Sequence, residues 1–216
     1  MTAFEPTPRN KVRRLPSRAA YDDKTIYAII DAAPLCHVGF VSDGQPFVIP
    51  TQHARVGSTL YFHGSPGSRL MRAIESGQAL CVSFALLDGL VAARSIFHHS
   101  VNYRSAVVFG SGRKVEGEEQ ILAALRAFAE HVLPGRWDEA RPPSPAELRA
   151  TTVAALEIES ASAKQRSGPP GDDPADLELP VWSGVIPLRT AAGPLESDSD
   201  QPVPPSVQAL LKQQSA

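Results

Sequence analysis

Cysteine is nearly absent from this chain: Cys36 and Cys81 are the only two, each lies within an apolar run, and no C-x-x-C spacing joins them. That excludes a disulfide scaffold and a thiolate metal site, and both read as small buried apolar residues. Net charge is scarce too. A formal charge of −2 and a pI near 6.3 supply no general field for nucleic acid, so a polyanionic partner would need a local patch. Only Arg9, Lys11, Arg13, Arg14 and Arg18 offer one, and a charge run near a terminus reads first as a solvated arm. No apolar run approaches a membrane span, and Glu5 and several prolines precede the basic residues with no apolar stretch after them. A soluble, cytoplasmic protein with no membrane partner is expected. Also missing are a Gly-Lys-Ser/Thr ending, a G-x-S-x-G elbow and a G-x-G-x-x-G fingerprint. These absences exclude a P-loop, a hydrolase nucleophile turn and a resident dinucleotide of Rossmann type.

What is present is core. With 43% hydrophobic residues in 216, the chain can bury one substantial domain. Ile26, Ile29, Ile30 and Ala33 recur at helical spacing, and Pro34 closes that segment. Leu35 to Val41, Ser42-Asp43-Gly44-Gln45 and Pro46 to His53 read as strand, Asp-Gly hairpin turn and strand. A turn at Arg55 to Ser58 leads to a third strand, Thr59 to His63. A short helix carrying Leu70 and Ile74 ends at Gly77. β-rich runs follow at Ala79 to Leu87 and Ser105 to Val115, with an irregular polar stretch from Leu90 to Arg104 between them. Ile121, Leu122, Leu125, Phe128, Ala129 and Val132 predict a helix over Glu118 to Leu133. Alternation over Thr152 to Ala163 predicts one strand with a wet face, and Val181 to Leu188 is a last apolar segment. The expectation is a mainly β chain with peripheral helices: a basic arm over residues 1–20, a barrel domain over 21–189, and a mobile tail over 190–216 in which Val207, Leu210 and Leu211 form at most one docking turn.

The segment Leu60 to Arg72, LYFHGSPGSRLMR, runs from a strand through a Gly/Ser/Pro turn into a helix start. Free N–H groups, the hydroxyls of Ser65 and Ser68 and the Arg69 guanidinium all favour an anion there. The same string also suits an ordinary capped turn with Ser68 as N-cap. His98-His99 invites a metal reading. Adjacent strand residues point to opposite faces and no carboxylate or cysteine is close in sequence, so a polar loop is expected and no metal. His53 and His131 carry no signal.

In order, VRRLPSRAAYD (Val12 to Asp22), LCHVGF (Leu35 to Phe40), VIPTQ (Val48 to Gln52), LYFHGSPGSRLM (Leu60 to Met71), NYRSAVVFG (Asn102 to Gly110), AKQRSGPP (Ala163 to Pro170) and WSGVIPL (Trp182 to Leu188) follow one another. That series resembles the flavin-nucleotide-binding, nitroimidazole-reductase-like branch of the pyridoxamine 5′-phosphate oxidase superfamily. The resemblance implies a six-stranded antiparallel split β-barrel that forms a homodimer and holds FMN. It places the FMN phosphate at Ser68 and Arg69, and Ile49, Pro50, Thr51 and Gln52 along the flavin ring; Ser65 adds a hydroxyl to the same turn, and His63, which ends the strand beside it, could touch the cofactor through its backbone alone. Arg104, Ser105, Lys164, Arg166 and Trp182 follow as further cofactor contacts, with Trp182 either shielding the flavin or anchoring its own segment. Leu70 stands where the oxidases carry a lysine, and Gln52 where they carry a basic residue. Both changes remove positive charge, which argues against a second, substrate phosphate and hence against vitamin B6 oxidation.

His37 is either a structural histidine or a flavin-facing proton donor and therefore the catalytic candidate. The implied function is an FMN-dependent oxidoreductase that takes electrons from NAD(P)H as a visiting donor and reduces a small nitroaromatic or quinone. The alternative is a non-catalytic flavin- or haem-binding split barrel, for which His37, His98 and His99 permit an axial ligand.

Overall fold

A computed structural model describes residues 3–214, which form ten strands and five α-helices. The chain begins with β1 (Ala19–Ala20), α1 (Asp23–Ala32), β2 (Cys36–Ser42), β3 (Gln45–Thr51), β4 (Ala54–Val56) and β5 (Thr59–Gly64). Then come α2 (Arg69–Glu75) and two long strands, β6 (Ala79–Ala92) and β7 (Ser100–Lys114). α3 (Glu118–Val132), α4 (Pro145–Ala150), β8 (Thr152–Glu157), β9 (Ser160–Arg166), β10 (Gly184–Pro187) and α5 (Pro205–Gln214) complete it. Two compact units emerge. The first takes residues up to Ala33 with Ser83–Val108 and Ser160–Arg189; the second takes Pro34–Val82, Phe109–Glu159 and the residues from Thr190 on.

In the first unit, the three-to-four spacing of Ile26, Ile29 and Ile30 buries one face of α1, which packs against β9. Each fully buried isoleucine contributes about 1.5–3 kcal/mol of hydrophobic stabilisation. The Asp22 carboxylate caps this helix by accepting from the Thr25 amide at 2.8 Å, a bond that holds its pKa below the ordinary value. β9 pairs antiparallel with β1 (Ala19↔Lys164) and also borders β7. β10 pairs antiparallel with β6 (Leu90↔Ile186).

That pairing corrects the irregular stretch expected from Leu90 to Arg104. β10 supplies hydrogen bonds to β6 as far as Ala92, and the polar residues of early β7 find partners: Asn102 donates to the Gly168 carbonyl and Ser105 to the Lys164 carbonyl. Only a short turn, with a 3₁₀ element at Ile96–His98, remains. The basic arm, expected as solvated, makes specific contacts. Asn10 is 4% exposed and donates from Nδ2 to the Ala161 carbonyl at 3.0 Å, and the Val12 amide donates to the Tyr21 hydroxyl at 2.9 Å.

The second unit opens with the β2–β3 hairpin, in register from Cys36↔Thr51 to Ser42↔Gln45. Asp43 (φ 51°) and Gly44 (φ 74°) both occupy the left-handed region, as a type I′ turn requires. A short extra strand, β4, stands where the sequence suggested only a turn; it pairs with β5, which pairs with β8, which pairs with late β7. The strand expected over Thr152 to Ala163 breaks into β8 and β9 after Glu157. Its wet face is also absent, since Thr152 to Leu156 are all buried: Val153 and Ala155 join Val115 and Ala124 of α3 in one cluster, while Ala154 and Leu156 lie opposite buried Phe62 and Leu60 of β5. Gly110 permits close approach here, because a Cβ at that position would sit 2.1 Å from the Glu157 carbonyl oxygen.

The tail departs from the expected single turn. It carries α5, where the Ser206 amide donates to Glu139 at 2.9 Å and the Ser206 side chain is buried. Among the described residues no helix is long and apolar enough to cross a membrane.

Candidate functional site

The phosphate-type turn lies in the second unit. β5 ends at Gly64, the Ser68 amide donates to the Ser65 carbonyl at 2.9 Å, and Ser68 occupies the N-cap position of α2 without a side-chain capping bond. The Arg69 guanidinium lies over the Phe47 ring at 4.3 Å, and Phe47 stacks on Phe40 at 5.6 Å. Arg69 also lines an open cavity of about 510 Å³ with Arg72, Asp43 and Ser76. Two guanidiniums of α2 and the Asp43 carboxylate of the β2–β3 turn thus surround the same space, and neither Ser65 nor Ser68 lines it.

The expected ring-bordering residues alternate between the two faces of β3. Pro50 stands opposite His37 on the exposed face, which Val41, Pro46 and Val48 share; Ile49 and Thr51 turn to the side of Val38 and Cys36. Gln52, just past the strand, is exposed. His37 does not line the Arg69 cavity. The Cys36 thiol is buried, and burial pushes its pKa up to about 12. His63 has its backbone in the β5–β8 ladder opposite Val153, and its ring packs edge-on against Phe128 at 4.5 Å. That ring lines a cavity of about 430 Å³ with Leu125, Arg141 and Glu147, and burial lowers its pKa. The side chain thus serves the second unit's helical layer, next to the bidentate Arg141–Glu147 pair (2.6 and 2.8 Å).

The first unit holds the more distinctive arrangement. A cavity of about 600 Å³ is lined by Arg14, Arg18, Lys164 and Arg166 together with Phe97, His98 and His99. Three elements bring these side chains together: the arm and its 3₁₀ turn (Pro16–Arg18), β9, and the turn between β6 and β7. Among the described residues the Arg14, Arg18 and Lys164 side chains have no carboxylate partner, whereas Arg166 is held by the Gly168 and Pro169 carbonyls and the Asn102 side-chain oxygen. Cations converging in this way favour an anion. His98 and His99 both face this cavity, because the 3₁₀ turn replaces the strand geometry that would have sent them to opposite faces. His98 Nε2 lies 3.2 Å from Asp173, and His99 Nδ1 lies 3.0 Å from the Ser95 carbonyl.

Of the other expected contacts, Arg104 is spent on a bidentate pair with Asp88 (2.7 and 2.9 Å), which raises its pKa. Ser105 bonds the Lys164 backbone at 3.0 Å. Trp182 is 66% exposed and lies over Gly184, where an added Cβ would meet its ring at 3.0 Å. Lys164 and Arg166 are the expected contacts that converge on the cationic cavity. Phe97 and the pairing of Asn102 with Arg166 were not foreseen; a basic run with few acidic neighbours was the available signal for the arm's share.

The family model described as pyridoxamine 5′-phosphate oxidase matches residues 22–165. The chain belongs to that family. Among solved structures, the flavocytochrome Anf3 from Azotobacter vinelandii is 41% identical with a TM-score of 0.87, over 94% of this chain and 97% of that one. The FAD and haem binding protein from Mycobacterium smegmatis is 36% identical with a TM-score of 0.84, over 89% and 97%. A candidate 5-nitroimidazole antibiotic resistance protein from Bacteroides thetaiotaomicron shares the fold at 23% identity and a TM-score of 0.59, over 68% and 85%. No curated protein sequence matches the chain. The architecture is the family's: mainly antiparallel β with few peripheral helices, of flavin-binding split-barrel type, with ten strands where six were expected.

Proposed function

We propose that this protein is a flavin- and haem-binding redox protein, an oxidoreductase in which the polypeptide binds and orients its cofactors. The observation that carries this reading is the first unit's cavity, where four cationic side chains and two imidazoles converge, taken with near-full-length similarity to a flavocytochrome and to a FAD and haem binding protein. Arg14, Arg18 and Lys164 supply positive charge for the phosphates of a flavin or the carboxylates of a haem, and His98 and His99 supply imidazole nitrogens; Phe97 and Leu15, both exposed, are the only apolar side chains in that lining.

In the second unit, Ser68 and Arg69 are proposed to take the terminal phosphate of the flavin, FMN by resemblance, with Ile49 to Gln52 along its ring. His37 stands as the candidate proton donor on the exposed face of the β2–β3 hairpin. The apolar residues of that face, Val41, Pro46, Val48 and Pro50, suit pairing with a second copy. When bound, the flavin supplies one- and two-electron transfer, and the haem a one-electron site. NAD(P)H is the proposed donor and a small nitroaromatic or quinone the proposed acceptor.

The absorbance spectrum of the purified protein tests this, before and after addition of haemin and flavin. Flavin bands together with a Soret band are expected, and chromatography of the released flavin separates FMN from FAD. A protein that takes up neither group overturns the reading.

A further inference from the structure

We propose that the first unit's cavity takes the 2′-phosphate of NADPH, so that the electron donor is NADPH and not NADH. The assignment rests on the oxidoreductase reading above and goes further by giving the donor a binding site and a specificity. Haem, flavin and donor each carry anions that these cations could hold. A haem brings its carboxylates on a wide apolar macrocycle, and the lining offers that ring only Phe97 and Leu15, both exposed. The flavin phosphate has its proposed place at Ser68 and Arg69, in the second unit. The donor's 2′-phosphate remains. As a monoester it carries close to two negative charges at neutral pH, on a polar ribose that an open, polar cavity of about 600 Å³ can admit and release.

Three stretches of chain set the cations. Lys164 of β9 pairs with Ala19 of β1, and Arg18, the residue before Ala19, reaches the same cavity. Arg166 lies two residues along β9 from Lys164 and so on the same face. Its guanidinium donates to the Asn102 side-chain oxygen and to the Gly168 and Pro169 carbonyls, which fixes it before a ligand arrives. Arg14, Arg18 and Lys164 meet no carboxylate among the described residues, while the Asp173 carboxylate pairs with His98 Nε2 at 3.2 Å. Cations gathered in this way repel one another, and a dianion relieves the repulsion.

A strained residue gathers two of them. Leu15, between Arg14 and the Pro16–Arg18 turn, sits at φ 52° and ψ 62°, the left-handed region that is unfavourable for a leucine. It is 44% exposed, so burial of its side chain does not account for the bend. What the bend accompanies is the meeting of Arg14 and Arg18, one on either side of it, at one cavity. Phe97, 88% exposed, adds a ring of the size of one base, a stacking face for the donor's adenine.

The test is calorimetric titration of the flavin-loaded full chain with NADP⁺ and with NAD⁺, which differ only in the 2′-phosphate and deliver no hydride. Wild type, Arg18→Ala, Lys164→Ala and Leu15→Gly are compared. Wild type should prefer NADP⁺ by about a hundredfold or more, two charged hydrogen bonds at the low end of their range, and each alanine variant should lower that preference by about tenfold, one such bond. Flavin content stays unchanged in both. Leu15→Gly permits the same bend without a Cβ and keeps the preference. Equal affinity for the two nucleotides in wild type, or an unchanged preference in both alanine variants, overturns the assignment and leaves the flavin–haem reading intact. Loss of flavin or haem uptake in the alanine variants also overturns it, because the cavity then belongs to a cofactor. A wild-type chain that takes up neither flavin nor haem overturns that reading, and the same titration of the unloaded chain then decides the phosphate site by itself.

Discussion

Asn10 is the residue on which the position of the basic arm depends, and its replacement by alanine has a calculable consequence. The Asn10 amide donates to the Ala161 carbonyl at 3.0 Å and to the Glu5 carbonyl at 3.1 Å, and its oxygen accepts from the Thr7 amide at 2.7 Å. Ala161 is fully buried, so Asn10→Ala removes a buried hydrogen bond to its carbonyl, at about 1–3 kcal/mol. The arm opens locally, not with the whole fold, so the readout is hydrogen exchange of its own protected amides. Two are diagnostic: Lys11, which donates to the Thr7 carbonyl at 2.9 Å, and Val12, which donates to the Tyr21 hydroxyl at 2.9 Å. Both should exchange roughly 5- to 150-fold faster, the same energy expressed as an equilibrium constant. Asn10→Asp separates donor from acceptor. It keeps the oxygen that serves Thr7 but presents a carboxylate to the Ala161 carbonyl, and should loosen the arm at least as much as alanine does. Because the arm carries Arg14, Leu15 and Arg18 to the cationic cavity, NADP⁺ affinity should fall in both variants. Exchange rates for Lys11 and Val12 indistinguishable from wild type in Asn10→Ala would refute the reasoning.

Gly110→Ala places a Cβ 2.1 Å from the Glu157 carbonyl oxygen and 2.8 Å from Leu156 Cδ2; it should cost about 1–3 kcal/mol or more, and an unchanged thermal midpoint would contradict the packing described. Burial lowers the His63 pKa in the folded chain, so the unfolded chain binds more protons as pH falls through the ordinary histidine value near 6.5, and stability declines there. Denaturant midpoints measured against pH should lose that acid-side slope in His63→Phe, and a slope equal to wild type removes the assignment. The Cys36 thiol, raised from 9.0 to about 12, should react with a disulfide reagent at pH 8 roughly a thousandfold more slowly than an unperturbed thiol. Equal modification rates for Cys36 and a model thiol would contradict its burial.

Local patterns carried most of the fold. The three-to-four spacing in α1 and α3 and the Asp43-Gly44 turn are properties of short stretches, and each element formed where its pattern lies. Features that depend on a distant segment were not legible. Whether β6 continues beyond Leu87 is decided by β10, almost a hundred residues later in the chain, and whether β8 has a wet face is decided by α3 and β5. The site divides in the same way. Lys164 and Arg166 could be picked out because a family string spans them, and they do share a cavity. Arg104 could not be separated from them, since its neutralisation comes from Asp88 across the β6–β7 pair. The two imidazoles of His98-His99 were expected on opposite faces because alternation assumes a strand, and a 3₁₀ turn capped by Ser95 turns both to one cavity.

The most direct measurement is a visible absorbance spectrum of the purified chain, loaded with flavin and haemin and then mixed with NAD(P)H under nitrogen. A flavin envelope and a Soret band at near-stoichiometric occupancy are predicted, with the flavin absorbance bleaching on addition of the donor. A colourless protein that retains neither chromophore after desalting would contradict the assignment of this family member as a flavin- and haem-binding redox protein.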